Sequence, residues 1–209
     1  MPNWCNNFAS VTGPKDRIAE LKEAYDRGEF CNAVVPVPKD LTETVAGSVP
    51  EGAERDAHEA QMKRNLELYG AKDWYDFCVN RWGTKWDFGG DGTADISDDG
   101  TCLTISFDSA WAPPTGIYET LTEQGLTVEA CYYESGMCFA GMWTSEYGDD
   151  CYDLSNMSAD EIADTIPQEL DDCMGITEGI REYEESERMD EELYRFVKEG
   201  SDKLGLVTE

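Results

Sequence analysis

The chain has 209 residues, of which 45 are Asp or Glu and 16 are Lys or Arg, for a formal net charge of -29. A surface this negative repels phosphate backbones and anionic membranes and attracts basic proteins, so direct binding to nucleic acid or to a membrane is disfavoured. Six Trp, ten Tyr and seven Phe are too many for an acidic disordered chain, and no apolar run approaches the roughly 18 residues of a membrane helix.

The polar opening from Met1 to Asn7 is unlike a signal peptide, and the expectation is a cytoplasmic protein. Cys5 to Thr12 reads as a strand, and Gly13-Pro14 opens a helix on which Ile18, Leu21 and Tyr25 share a face before Gly28 ends it. Phe30 to Val35, closed by Pro36 and Pro38, reads as a second strand. Residues 40–70 are polar and read as an insertion with one helix from about Glu54 to Tyr69. Asp73 caps a short helix that Gly83 stops.

The dipeptide Asp99-Gly100 turns a hairpin between residues 94–97 and 102–107. Pro113-Pro114 starts another helix, with Ile117, Tyr118 and Leu121 on one side and Gly125 as its stop. Residues 126–133, a Ser135-Gly136 turn and residues 137–143 form a last hairpin. This order predicts an α+β, ferredoxin-like sandwich, an antiparallel sheet with helices on one face, carrying a helical insertion and one additional strand. Gly148-Asp149-Asp150 reads as a linker, giving a domain over 1–147 and an acidic helical extension over 148–209. Within that extension, Ser158 and Glu161 spell a capping box and Pro167 interrupts the helix.

Five blocks stand out: residues 1–7 (MPNWCNN), 32–38 (NAVVPVP), 80–87 (NRWGTKWD), 107–114 (FDSAWAPP) and 134–141 (ESGMCFAG). Together they resemble the YubB-type ferredoxin-like family of phages and mobile plasmids, in order over residues 1–143. The resemblance implies a mobile-element protein of that fold and transfers no catalytic or binding residue.

Composition argues against an enzyme. The lone histidine, His58, falls in the polar insertion, so neither a His-dependent triad nor a histidine metal site is available. Eight cysteines form no C-x-x-C pair and read as buried free thiols. Asp95, Ser97, Asp99 and Gly100 copy half of an EF-hand loop, but Ser106 stands where its bidentate Glu belongs. No catalytic residue, metal ligand or cofactor site is therefore expected. Trp82, Thr84, Lys85, Trp86 and Trp111 make a candidate recognition surface, since aromatic residues beside a lysine suit binding, with core packing as the plainer role for the tryptophans.

The charge is uneven. Residues 144–209 hold 21 acids and 5 bases, an asymmetry that points to a separate interaction element. Met189, Leu193, Phe196 and Val197 follow helical spacing, with Ile180 and Tyr183 expected to extend the stripe. Glu178, Glu182 and Glu185, and likewise Glu184, Glu187 and Glu191, fall three or four residues apart, a phosphate-like separation of about 5–6 Å. The pairs Glu184–Arg188 and Glu191–Arg195 are expected to neutralise part of that charge. With Asp160, Asp164, Asp171 and Asp172 added, these residues make a candidate partner-binding face. The expected function is a non-enzymatic nucleic-acid mimic that occupies the basic groove of a host defence or DNA-processing protein. The alternatives are salt adaptation with an unrelated interaction role and, further back, a carboxylate-metal enzyme.

Overall fold

The structure, a computed structural model, describes residues 3–47 and 52–203. Met1 and Pro2 of the first block, part of the insertion and the last six residues of the extension lie outside the described residues.

The first strand, β1 (Trp4–Thr12), alternates: Cys5, Asn7, Ala9 and Val11 are buried, and Trp4, Asn6 and Phe8 are exposed on the other side. That period of two defines one covered and one open sheet face. Helix α1 (Lys15–Asp26) buries Ile18, Leu21, Ala24 and Tyr25 on the covered face. Hairpin strands β2 (Thr93–Ile96) and β3 (Cys102–Ala110) follow much later in the chain. Their connection is longer than a two-residue turn, with Gly100 at φ 74° and Asp99 accepting from Ser97 and Thr101. Helix α6 (Thr115–Glu123) buries Ile117, Tyr118 and Leu121, and β4 (Thr127–Glu134) and β5 (Phe139–Thr144) complete the second hairpin.

The sheet order is β2-β3-β1-β4-β5-β6, all neighbours antiparallel, with Asn6 opposite both Asp108 and Tyr133. Its first four strands have ferredoxin-like order, so the chain is an α+β sandwich of the expected kind. One core runs between β1, β3, β4 and helices α1 and α6, from Ala9 and Val11 through Ile105 and Leu121 to Val128. Each Val, Ile or Leu among them, when fully buried, contributes about 1.5–3 kcal/mol.

Three expectations are corrected. Residues from Phe30 form helix α2 (Phe30–Val34), not a strand. Phe30, Cys31 and Val34 fall on one helical side and are buried, and the Asp87 carboxylate accepts from the amides of Cys31 (2.7 Å) and Asn32 (2.9 Å). β3 pairs with β2, as the expected hairpin has it, and with no strand at Phe30 the inserted region between α1 and β2 is wider than 40–70. It holds α2, α3 (Lys39–Thr42), α4 (Ala53–Tyr69) and α5 (Trp74–Trp82). Here Leu41, Ala71 and Phe77 form a small core beside buried Asn65, whose amide donates to Thr44 and to the Lys72 carbonyl. Finally, Gly148-Asp149-Asp150 is no linker but the start of strand β6 (Gly148–Asp153), paired to β5. The first compact unit ends at Ser155 and the second begins at Asn156.

The second unit has three helices: α7 (Ala159–Thr165), α8 (Gln168–Met174) and α9 (Ile176–Lys203). The Ser158–Glu161 capping box is formed, and Pro167 separates α7 from α8. Among the described residues no helix is long and apolar enough to cross a membrane.

Candidate partner-binding surfaces

The acidic residues of the second unit divide by use. The first turns of α9 pack on α7 and α8, and several carboxylates hold that packing together. Glu184 accepts from the Ala159 amide at the start of α7 (3.1 Å), Asp171 from the Thr177 amide (2.7 Å), and Asp160 pairs with Arg181 (2.9 Å). Farther along, Glu185 pairs with Arg188 (3.3 Å) and Glu187 accepts from the Tyr183 hydroxyl (2.6 Å). The expected Glu184–Arg188 and Glu191–Arg195 pairs are not formed among the described residues; Glu184 turns to α7, and Arg188 pairs with Glu185. Glu178, Glu182, Glu191, Asp164 and Asp172 are exposed and make no hydrogen bond or ion pair to another described residue.

Helical geometry also splits the six glutamates. At 3.6 residues per turn, Glu178, Glu182 and Glu185 lie along one side of α9, whereas Glu184, Glu187 and Glu191 lie on the other. Nine residues make two and a half turns, so Ile180 faces away from Met189 and does not extend its stripe. Met189, Leu193, Phe196 and Val197 continue the side of Glu178, Glu182 and Glu185, and are 59–75% exposed. From Arg181 to Lys198 every residue of α9 is exposed. The outer half of α9 is thus an amphipathic helix with its apolar side uncovered, flanked by Glu185, Asp190 and Glu192; Arg181, Arg188 and Arg195 sit seven apart on the other side.

The tryptophan block divides as well. Trp82 is buried and its indole donates to the Val35 carbonyl (2.9 Å), and Thr84 is buried with its hydroxyl bonded to both the carbonyl and the amide of Ala110 (each 3.1 Å). Neither belongs to a surface. They place their neighbours: Gly83, at φ 87°, lies so close to Pro113 and Thr115 that a Cβ there would sit 3.0 Å from each. Gly116 likewise lets α6 approach α5, since a Cβ would stand 2.3 Å from the Arg81 carbonyl oxygen. On the β3 side, Asn7 donates to Ser109 (2.8 Å), whose hydroxyl donates to the Ala112 carbonyl (2.7 Å), and this fixes the corner carrying Trp111.

Lys85, Trp86 and Trp111 are thereby brought together. The Lys85 ammonium lies 4.5 Å from the Trp86 ring centroid, 5.0 Å from Trp111 and 5.6 Å from Tyr75. Trp4 packs on Trp86 with centroids 6.0 Å apart, and Trp4, Trp86 and Trp111 remain 47%, 39% and 40% exposed. Sequence reasoning missed Trp4 and Tyr75. Trp4 is remote in the chain, and only its pairing with Ala110 across β1 and β3 signals that the first strand starts beside this corner.

Burial raises the thiols of Cys5 and Cys78 to about 12 and that of Cys31 well above its ordinary value, which disarms them as nucleophiles. Burial also pushes the Asp87 carboxyl up, against the pull of the amides it accepts from. Among the described residues no three His, Cys, Asp or Glu are grouped to hold a metal ion. His58 lies on α4 with Nε2 3.3 Å from the Gly47 carbonyl.

No family model and no curated protein matches the chain. Among solved structures it is similar to a protein, api92, from Yersinia pseudotuberculosis that carries the family model DUF1281, at 12% identity over 73% of this chain and 98% of that one, with a TM-score of 0.38.

Proposed function

We propose that the protein is a non-enzymatic binding protein that uses α9 to occupy the basic, nucleic-acid-binding surface of another protein. The observation that carries this reading is the uncovered apolar side of α9, flanked by exposed carboxylates. An amphipathic helix with such a side fits a partner groove that is apolar at its floor and basic at its rim. A second copy of this chain fits poorly, because acids flank the stripe and would face acids. The unpaired row of Glu178 and Glu182 continues the stripe and gives the phosphate-like component, while Leu193 and Phe196 supply contacts that slow dissociation. The resemblance to phage and plasmid proteins supports a host defence or DNA-processing protein as the partner.

The geometry sharpens the mimicry reading. A duplex as long as the segment from Glu178 to Glu199, roughly 32 Å, carries about 19 charges, and the acids of α9 are partly used within the fold. Mimicry through α9 is therefore a one-sided device, with charge to steer and apolar contacts to hold.

The test is capture of the partner from host extract on the immobilised full chain, followed by competition. Duplex DNA releases the partner, and retention falls steeply between about 50 and 200 mM salt, less steeply than a DNA complex of equal area. Leu193→Asp abolishes capture. Reversal of Glu178, Glu182 and Glu185 to Lys weakens it more than reversal of Glu184, Glu187 and Glu191. Retention of the partner by the Leu193→Asp variant, or simultaneous binding of DNA and this protein, overturns the reading.

A further inference from the structure

In a chain with 45 carboxylates, the Lys85 ammonium has no carboxylate within ion-pair distance among the described residues. It shares this with Lys15, Arg81 and Lys198, among others, whereas Arg17, Lys22, Arg27, Lys39, Arg181 and Arg188 pair with acids. Lys85 is placed instead against three aromatic rings, each within the roughly 6 Å over which a ring face attracts a cation. Trp111 holds a left-handed backbone, φ 71°, in reaching this arrangement. For a bulky residue that conformation is strained and persists only where surrounding structure imposes it, here the Asn7–Ser109–Ala112 chain and the bond from the Trp111 amide to the Asn3 carbonyl. Beside the rings lies a largely apolar cavity of about 340 Å³, walled by Val37, Trp74, Cys78, Trp82 and Trp86, with Lys85 and Asp87 in its lining.

We propose that Tyr75, Trp86 and Trp111 form a receptor for an alkylated ammonium group, which Lys85 occupies as an internal plug. A primary ammonium is compact and strongly hydrated, so Lys85 recovers water when it leaves the rings. An alkylated ammonium has no such hydration to regain and matches the ring faces better, which lets it displace the lysine. The net charge of the molecule draws cations toward it, and the adjoining cavity receives the apolar stem of the ligand or of the displaced lysine. The ligand is either a free organic cation or a methylated lysine side chain on a protein; the ammonium chemistry is common to both. This site lies in the first unit and stands independently of the reading of α9.

The experiment titrates the full chain with tetramethylammonium chloride against sodium chloride at equal ionic strength, by tryptophan fluorescence and calorimetry. The parent binds weakly. Lys85→Ala removes the plug and binds at least tenfold tighter, a gain of about 1.4 kcal/mol, and Trp86→Ala loses binding. Lys85→Met, which retains most of the stem, shows the same gain and serves if the alanine variant is unstable. A peptide bearing trimethyl-lysine that binds more tightly than both its unmodified twin and tetramethylammonium assigns the ligand to a protein; equal affinity for peptide and small cation assigns it to a free organic ammonium. The proposal is overturned if removing Lys85 leaves ammonium affinity unchanged or lowered. It is also overturned if the parent binds acetate or inorganic phosphate and loses it with Lys85, for then the lysine is an anion-binding group.

Discussion

In α6, Ile117, Tyr118 and Leu121 share one side of the helix and are 0–1% exposed; in α9, Met189, Leu193, Phe196 and Val197 share one side and are 59–75% exposed. The periodicity is of the same kind in both. In α6 it is consumed by the sheet, where Val128 and Ala130 of β4 join the same core. In α9 the first turns pack on α7 and α8, and the helix then runs on with every described side chain open. An apolar side therefore says that cover is wanted without saying whether the chain itself supplies it. The uncovered case is where a partner is to be sought.

The largest effect that tests this contrast comes from truncating one leucine in each helix. Leu121→Ala leaves a cavity in a fully buried site and destabilises the first unit by about 2–5 kcal/mol. Leu193→Ala removes nothing that is packed, and its effect on the isolated chain stays within about 0.5 kcal/mol. All six tryptophans precede Ser155, so their fluorescence during denaturant unfolding follows the first unit, and far-ultraviolet circular dichroism follows the whole chain. A loss at Leu193 as large as that at Leu121 would break the contrast, since it would mean the stripe is already covered in solution.

How much was legible follows the same division. Helices with a cap at one end and a Gly stop at the other were readable: α5 from Asp73 to Gly83 and α6 between Pro114 and Gly125. The strand expected from Phe30 failed because a short apolar run has no period of its own. What decided it was Asp87, over fifty residues away, capping the first amides of α2. Strand β6 was missed because Gly and Asp are poor strand formers, and pairing to β5 overrode that preference. For the tryptophans, residue type marked a surface but could not separate buried Trp82 and Thr84 from exposed Trp86. The adjacent positions diverge only because Thr84 is bonded to Ala110. The assignment of α9 as amphipathic was sound in its outer half, while the alignment of its glutamates required counting turns.

A smaller effect sharpens the boundary between the two regions. A chain ending at Ser155 retains β6 and should unfold within about 0.5 kcal/mol of the parent as read by tryptophan fluorescence. A chain ending at Tyr147 loses β6, and with it the Asp149 carboxylate that accepts from the Tyr132 hydroxyl at 2.7 Å. Loss of this hydrogen bond to a charged group costs about 1.5–3 kcal/mol. The newly bared edge of β5 also favours association. Equal stability of the two chains would show that β6 adds nothing to the sheet and would restore a boundary at Gly148.

The smallest effect carries the contrast over to charge. Glu178, Glu182 and Glu191 of α9 have no partner among the described residues, whereas Asp99, equally exposed, accepts from the hydroxyls of Ser97 (2.7 Å) and Thr101 (2.8 Å) and from the Thr101 amide (3.1 Å). Those hydrogen bonds hold its carboxyl at about 2, below the ordinary 3.8. A carboxyl depressed in the folded state binds fewer protons there than in the unfolded chain, so its stabilisation is present above the ordinary value and is lost as the pH falls toward 2. Asp99→Asn should therefore lower the thermal midpoint at pH 7 by a small amount, and the difference from the parent should shrink as the pH falls through that window. Glu182→Gln and Glu191→Gln, which remove unpaired charges from an acidic helix, should leave the midpoint unchanged or raise it slightly at pH 7, because surface charges in water contribute little and these repel their neighbours. If Glu182→Gln and Glu191→Gln destabilise as Asp99→Asn does, those glutamates are engaged within the molecule and are not free to meet a partner.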